Sequence, residues 1–156
     1  VRYQNCMNQI QMKMLNMSKQ LKKLAKELRK YDYEVKLVKE PDYTFLSVTG
    51  YISATWAEVT TTILIAPEGG SGNLYYNLYT VVNLPIEPDR IQGLLMVEML
   101  NNVYDGKFFY DKEGDLLYTT RLPVLPELGV HYIVSQLTLH MDVVILTSGI
   151  YNKVPV

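Results

Sequence analysis

Hydrophobic positions along the chain follow two periods in turn. The first set is Met7, Ile10, Met14, Met17, Leu21, Leu24, Leu28 and Tyr31, alternately three and four residues apart. This seam predicts one helix about 37 Å long, more than a sheet of this size can cover. From Ser18 onward the helix is expected to pack on the protein's own sheet. Residues 1–17, rich in Met, Asn and Gln, are read as an N-terminal arm, either a helical extension that meets a second chain or a disordered segment, and residues 18–156 as a single domain. The flanking Lys13, Gln20 and Glu27 form no charge ladder with Gln11, Ser18 and Ala25, which counts against a two-stranded coiled coil.

After Tyr31 the period becomes two. Tyr33–Val38, Tyr43–Thr49, Ala57–Ala66 and Tyr75–Leu84 are rich in Val, Ile, Thr and Tyr. Pro41, Gly50, the PEGGSGN stretch at 67–73 and Pro85 bound them, and they predict four strands. Glu87, Pro88 and Asp89 then favour a helix start. Ile91, Leu94, Leu95, Val97, Met99 and Leu100 continue that helix until Asn101, Asn102 and Gly106 end it. A hairpin follows, and a last helix is predicted from about Glu127 to Leu146, although Val143, Val144 and Ile145 would also suit a strand. The fold class is therefore α+β, an antiparallel sheet of about five to six strands with an N-terminal, a middle and a C-terminal helix packed on it.

Composition narrows the class of protein. At 156 residues, 48% apolar and 20% charged, the chain has the makeup of one globular domain. No apolar run reaches the length of a membrane span, since VHYIVSQLTLHMDVVIL is broken by Gln136, His140 and Asp142. The start of the chain lacks the continuous apolar block of a signal peptide, so a cytoplasmic location is expected. Charge is distributed unevenly. Residues 1–30 hold eight basic residues against Glu27 alone, and the remainder holds 7 basic and 15 acidic residues. The acidic body argues against broad nucleic-acid binding, which depends on neutralising phosphates.

Few residues are placed for chemistry. Asp111, Glu113 and Asp115 alternate as the first ligands of a calcium loop do, but the glycine stands fourth and Leu122 occupies the position of the bidentate Glu. A hairpin tip accounts for them better, with Lys112 and Glu113 in a type I turn and Gly114 at positive φ. PEGGSGN lacks the Lys and Ser/Thr pair of a phosphate loop and precedes a strand, so it is read as a flexible connection. His131 and His140 are half a helical turn apart and cannot share a ligand. Cys6, the single cysteine, has no activating surroundings beyond Arg2. No catalytic set, cofactor or metal is implied. The unusual ingredient is tyrosine, at 13 residues. Tyr75, Tyr79, Tyr110 and Tyr118 are candidate anchors for a protein partner, as are Leu21, Leu24 and Leu28 on the helical seam.

The order of elements, together with MVEMLNNVYDGKFFYDKEGDLLYTTRLPV at 96–124, resembles the YbjN family, which shares the fold of type III secretion chaperones. The resemblance covers about residues 20–148 and rests on Leu100 and Asn101, on Phe108–Tyr110, and on Arg121, Leu122 and Pro123. It implies a domain, often dimeric, that acts through protein contacts and has no catalytic residues to carry over. The basic front helix and the GGSG insertion depart from that pattern. The expected function is a non-enzymatic protein-binding domain, a homodimer or adaptor that holds a segment of a partner. The alternative is a small-molecule sensor with a pocket between sheet and last helix, lined by Tyr132 and Met141.

Overall fold

A computed structural model describes residues 2–52, 57–67, 69–70, 72–84 and 87–152. Helix α1 (Arg2–Lys30) is followed by strands β1 (Glu34–Lys39), β2 (Thr44–Ile52), β3 (Ala57–Pro67) and β4 (Leu74–Val81). Helix α2 (Arg90–Val103), the hairpin β5 (Lys107–Tyr110) and β6 (Leu116–Pro123), a 3-10 turn (Pro126–Leu128) and helix α3 (His131–Asn152) complete the described elements. The six strands form one antiparallel sheet in the order β1-β2-β3-β4-β6-β5. The expected α+β architecture, with its N-terminal, middle and C-terminal helices, is the one observed.

Register divides the sheet into two faces. Lys36, Ser47, Thr62, Tyr79, Thr119 and Lys107 stand opposite one another in one row across all six strands, and none of them is buried. Their neighbours one position along each strand point the other way. There Val35, Val48, Thr61, Thr80, Tyr118 and Phe108 are all at most 9% exposed. This inner face receives every helix. α1 packs across β1 to β3, α3 lies over β3, β4 and β6, and α2 meets β5, where Gly93 sits against the Tyr110 hydroxyl. Among the described residues, no helix lies on the outer face.

Side chains engage one backbone position on each sheet edge. On β1, the Val35 carbonyl accepts a hydrogen bond from Arg29 Nη2 of α1 at 3.0 Å. On β5, Asn101 of α2 makes a pair of bonds to one residue. The Phe108 N–H donates to Asn101 Oδ1 at 2.7 Å, and Asn101 Nδ2 donates to the Phe108 carbonyl at 3.1 Å. A carboxamide thus stands in for the backbone of an added strand, which blocks the pairing that an open edge invites.

Helix α1 is continuous from Arg2 to Lys30, so the arm at 2–17 is a helical extension. Gln4, Asn5, Asn8, Leu15 and Asn16 are exposed, and burial begins at Met17. The side chains of Met7, Ile10 and Met14 lie outside the described residues. Asp32, at φ 65°, ends the helix, with the Tyr31 and Tyr33 N–H groups both directed to the Leu28 carbonyl. Helix α3 starts later than predicted because Gly129, at φ 63°, breaks the turn at 126–128 from the helix. It includes Val143–Ile145 as predicted and runs further, past Leu146 to Asn152. Thr147 and Ser148 donate their hydroxyls to the carbonyls of Val143 and Val144, and so need no partner outside the helix.

Replacing Asn101 with Ala is expected to lower unfolding stability by about 1–2 kcal/mol and to raise aggregation, because the Phe108 backbone edge is then open. Urea melts and light scattering check this. Asn101→Asp, which keeps the acceptor and loses the donor, should fall between the two.

Candidate functional site

The seven residues expected to meet a partner do not form one surface. Leu21, Leu24 and Leu28 are 0–1% exposed and belong to the core under α1, so they are corrected to core residues. A seam of three-and-four spacing looks the same whether its partner is the chain's own sheet or another molecule. Tyr118 is likewise buried, between Phe108 and the His140 ring. Tyr110 is on the same inner face, half-buried against α2. Tyr75 and Tyr79 are half-buried on the outer face, Tyr75 beneath the Arg121 guanidinium at 5.5 Å from its ring centre. Strand parity correctly predicted that these two share a face, but it does not say which face the helices cover.

Among the described residues, the largest apolar exposure on one element is on α2. Asp89 caps the helix, its carboxylate accepting from the Gln92 N–H at 2.9 Å. Gly93, Met96 and Leu100 turn toward the sheet and are buried. Ile91 and Leu95 lie across the helix from Gly93 and Leu100. They are 73% and 61% exposed, and Leu94, Met99 and Val103 beside them are 57%, 53% and 68% exposed. Exposed apolar residues scattered singly are ordinary, whereas five along one short helix make a contiguous patch of the kind that marks an interface. Sequence reading missed this stripe because it used the apolar positions of α2 only to extend the helix and assigned none of them to a surface. They in fact fall on nearly every side, which a helix with one buried face does not require.

The carboxylate cluster is a hairpin tip. The Gly114 N–H donates to the Asp111 carbonyl, Gly114 has φ 85°, and Asp111 Oδ1 accepts from the N–H groups of Glu113 and Asp115, each at 2.9 Å. The ligand oxygens of Asp111, Glu113 and Asp115 lie within 4.8 Å of one another, an arrangement the turn itself produces. The side chain of Cys6 lies outside the described residues, as do residues 68 and 71 of the PEGGSGN stretch.

Two depressions bear on ligand binding. One, of about 330 Å³, lies between α1 and the start of α3, with Lys23, Lys26 and Lys30 on one wall and Tyr76, Tyr132 and Ile133 among the others. Tyr132 lines this depression, which lies between two helices and not between the sheet and the last helix as expected, and Met141 is 2% exposed and belongs to the core. The second, of about 1110 Å³, wraps round β6 beside α3. Its Tyr79, Thr119 and Arg121 belong to the outer face of the sheet and its Tyr118, Thr120 and His140 to the inner face, so its ionisable groups are divided between two surfaces.

His140 is the buried ionisable group of α3, at 2% exposure. Its Nε2 is 2.8 Å from the Thr80 hydroxyl and its Nδ1 2.7 Å from that of Thr120, and Thr80 is in turn 2.7 Å from the Thr61 hydroxyl. A neutral imidazole donates at one nitrogen and accepts at the other, so both ring nitrogens are satisfied by hydroxyls on β4 and β6. The ring lies 4.7 Å from that of Tyr118. Burial lowers the His140 pKa from 6.5 to about 4, and it pushes the Tyr76 and Tyr118 hydroxyls up. His131 is exposed, with Nδ1 3.0 Å from the Tyr31 hydroxyl. Among the described residues, no helix is long and apolar enough to cross a membrane.

No known family's sequence profile matches the chain, and no curated protein is significantly similar to it.

The His140 environment makes stability depend on pH. Above pH 6.5 the ring is neutral whether the chain is folded or not. As pH falls toward 4, the unfolded chain takes up a proton that the folded chain refuses, which removes about 3 kcal/mol across that window. Urea unfolding from pH 7 to 4 should show this loss. In His140→Gln, whose amide still donates and accepts, the fall should be shallower by that amount; an unchanged slope would show that other groups cause it.

Proposed function

We propose that this protein is a non-enzymatic protein-binding domain that assembles as a homodimer through the exposed face of α2. The observation that carries the reading is the stripe of Ile91, Leu94, Leu95, Met99 and Val103, each more than half exposed. Burying such side chains contributes on the order of 1–3 kcal/mol apiece before the costs of association. Residues four apart form a ridge along a helix, and two such ridges interdigitate at about 50°. A two-fold crossing near Leu94 and Leu95 sets Ile91 of one copy against Met99 of its partner. A second copy thus supplies the matching apolar ridge.

Other features support a role in contact over one in catalysis. His140 has both ring nitrogens engaged, and the hairpin carboxylates serve the turn. The order of helix, four strands, helix, hairpin and helix accords with the YbjN resemblance and with the chaperone-like holding of a partner segment that it implies. The outer sheet face, with Tyr75 and Tyr79 half-buried and bare of helices, is the surface on which such a segment would lie.

Light scattering on the full chain is expected to give the mass of a dimer, and Leu95→Glu the mass of a monomer whose thermal melt stays cooperative. A wild-type chain that remains monomeric at high concentration, or a Leu95→Glu variant of unchanged mass, would count against α2 as the interface.

A further inference from the structure

The cavity between α1 and α3 joins a charged wall to an apolar one. We infer that it binds a small amphipathic anion, a carboxylate carried on an aliphatic or aromatic body. At about 330 Å³ it lies at the small end of ligand sites. Gln20, Lys23, Lys26 and Lys30 follow one side of α1 and form its charged wall. Lys30 is held by Glu27 at 2.9 Å, which neutralises both. Lys23 and Lys26 have no ion pair among the described residues; Glu27 also lines the cavity and feels the charge of Lys26, so the wall sets three ammonium groups against one carboxylate and stays net positive. Opposite them the cavity meets the start of α3, a long helix with no acidic residue in its first turn. Its dipole adds positive potential at that end.

The rest of the lining is apolar. Tyr76 and Ile133 are almost wholly buried, and Val124, Val130 and Tyr132 are half-buried around them. A bare inorganic anion would engage the lysines and leave these walls wetted. A neutral apolar molecule would fill the space and leave the net positive charge unmatched. A carboxylate head at Lys23 and Lys26, with its stem against Tyr76, Val130 and Ile133, satisfies both. The stems of the lysines themselves extend the apolar wall while their charged ends remain in water. This site is on a different part of the molecule from the exposed stripe of α2, and it stands whether or not the chain pairs through that helix.

The test uses the full chain and three probes: sodium octanoate, octylammonium and inorganic phosphate. Titrations followed by amide chemical shifts should show octanoate perturbing Val130, Tyr132 and Ile133 at one saturable site, with octylammonium and phosphate leaving those signals in place. Lys23→Gln/Lys26→Gln should weaken octanoate at least tenfold without altering the fold, since both side chains are exposed. Val130→Phe, which fills the space and keeps the lysines, should give a similar loss. The inference is overturned by any of three results: no perturbation of those amides at millimolar octanoate, equal affinity in the lysine variant, or equally tight binding of phosphate alone.

Discussion

The pair of hydrogen bonds from Asn101 to Phe108 settles where α2 lies, and most of what is functional in this structure follows from that. A six-stranded sheet ends in two rows of backbone groups that seek partners. At β5 the row is met by one carboxamide, which matches the donor and acceptor of a strand residue. Because Asn101 must reach the outer edge of β5, α2 runs beside the sheet edge and only its Gly93, Met96 and Leu100 side is covered. Nothing else in the described chain packs on the opposite side. Closing the edge against unwanted strand pairing is thus what leaves a helix face bare.

The other helices obey a different constraint. All of them share one face of the sheet, and α3 crosses its middle, where an apolar row is interrupted by Thr61 and Thr80. A hydroxyl buried under a helix requires a partner, and His140 supplies one to Thr80 and another to Thr120. These bonds specify the register of α3 more narrowly than apolar packing does, since a shift of one residue would rotate the ring away from both strands. The price is a core that resists protonation, and so a domain suited to neutral pH. With α1 and α3 seated side by side, the lysines of α1 come to overlook the start of α3, which has no acidic residue in its first turn, and the charged wall of the cavity arises from that placement.

Much of the architecture was legible in the residues alone. The change from a period of three and four to a period of two at Tyr31 marks the end of α1, and Lys112 to Gly114 spell out the hairpin turn that is observed. What could not be read is which of two equivalent surfaces is covered. Leu21, Leu24 and Leu28 have the same spacing in a core as in an interface. Tyr75 and Tyr79 alternate with Tyr76, yet alternation assigns no side to the helices. Asn101 reads as a helix stop because Asn often is one, and its edge-closing role depends on β5 folding back beside it. His140 is a lone histidine in the sequence, whose two threonine partners lie 60 and 20 residues away.

The central claim is that a second copy covers the outward face of α2, and cross-linking at its centre tests it most directly. In a Cys6→Ser background, cysteine placed at Leu94 should form an intermolecular disulfide rapidly under mild oxidation, because two-fold pairing brings the two copies of that position together. Cysteine at the exposed Lys112 of the hairpin tip should not. Equal and slow linkage at both positions would contradict the account.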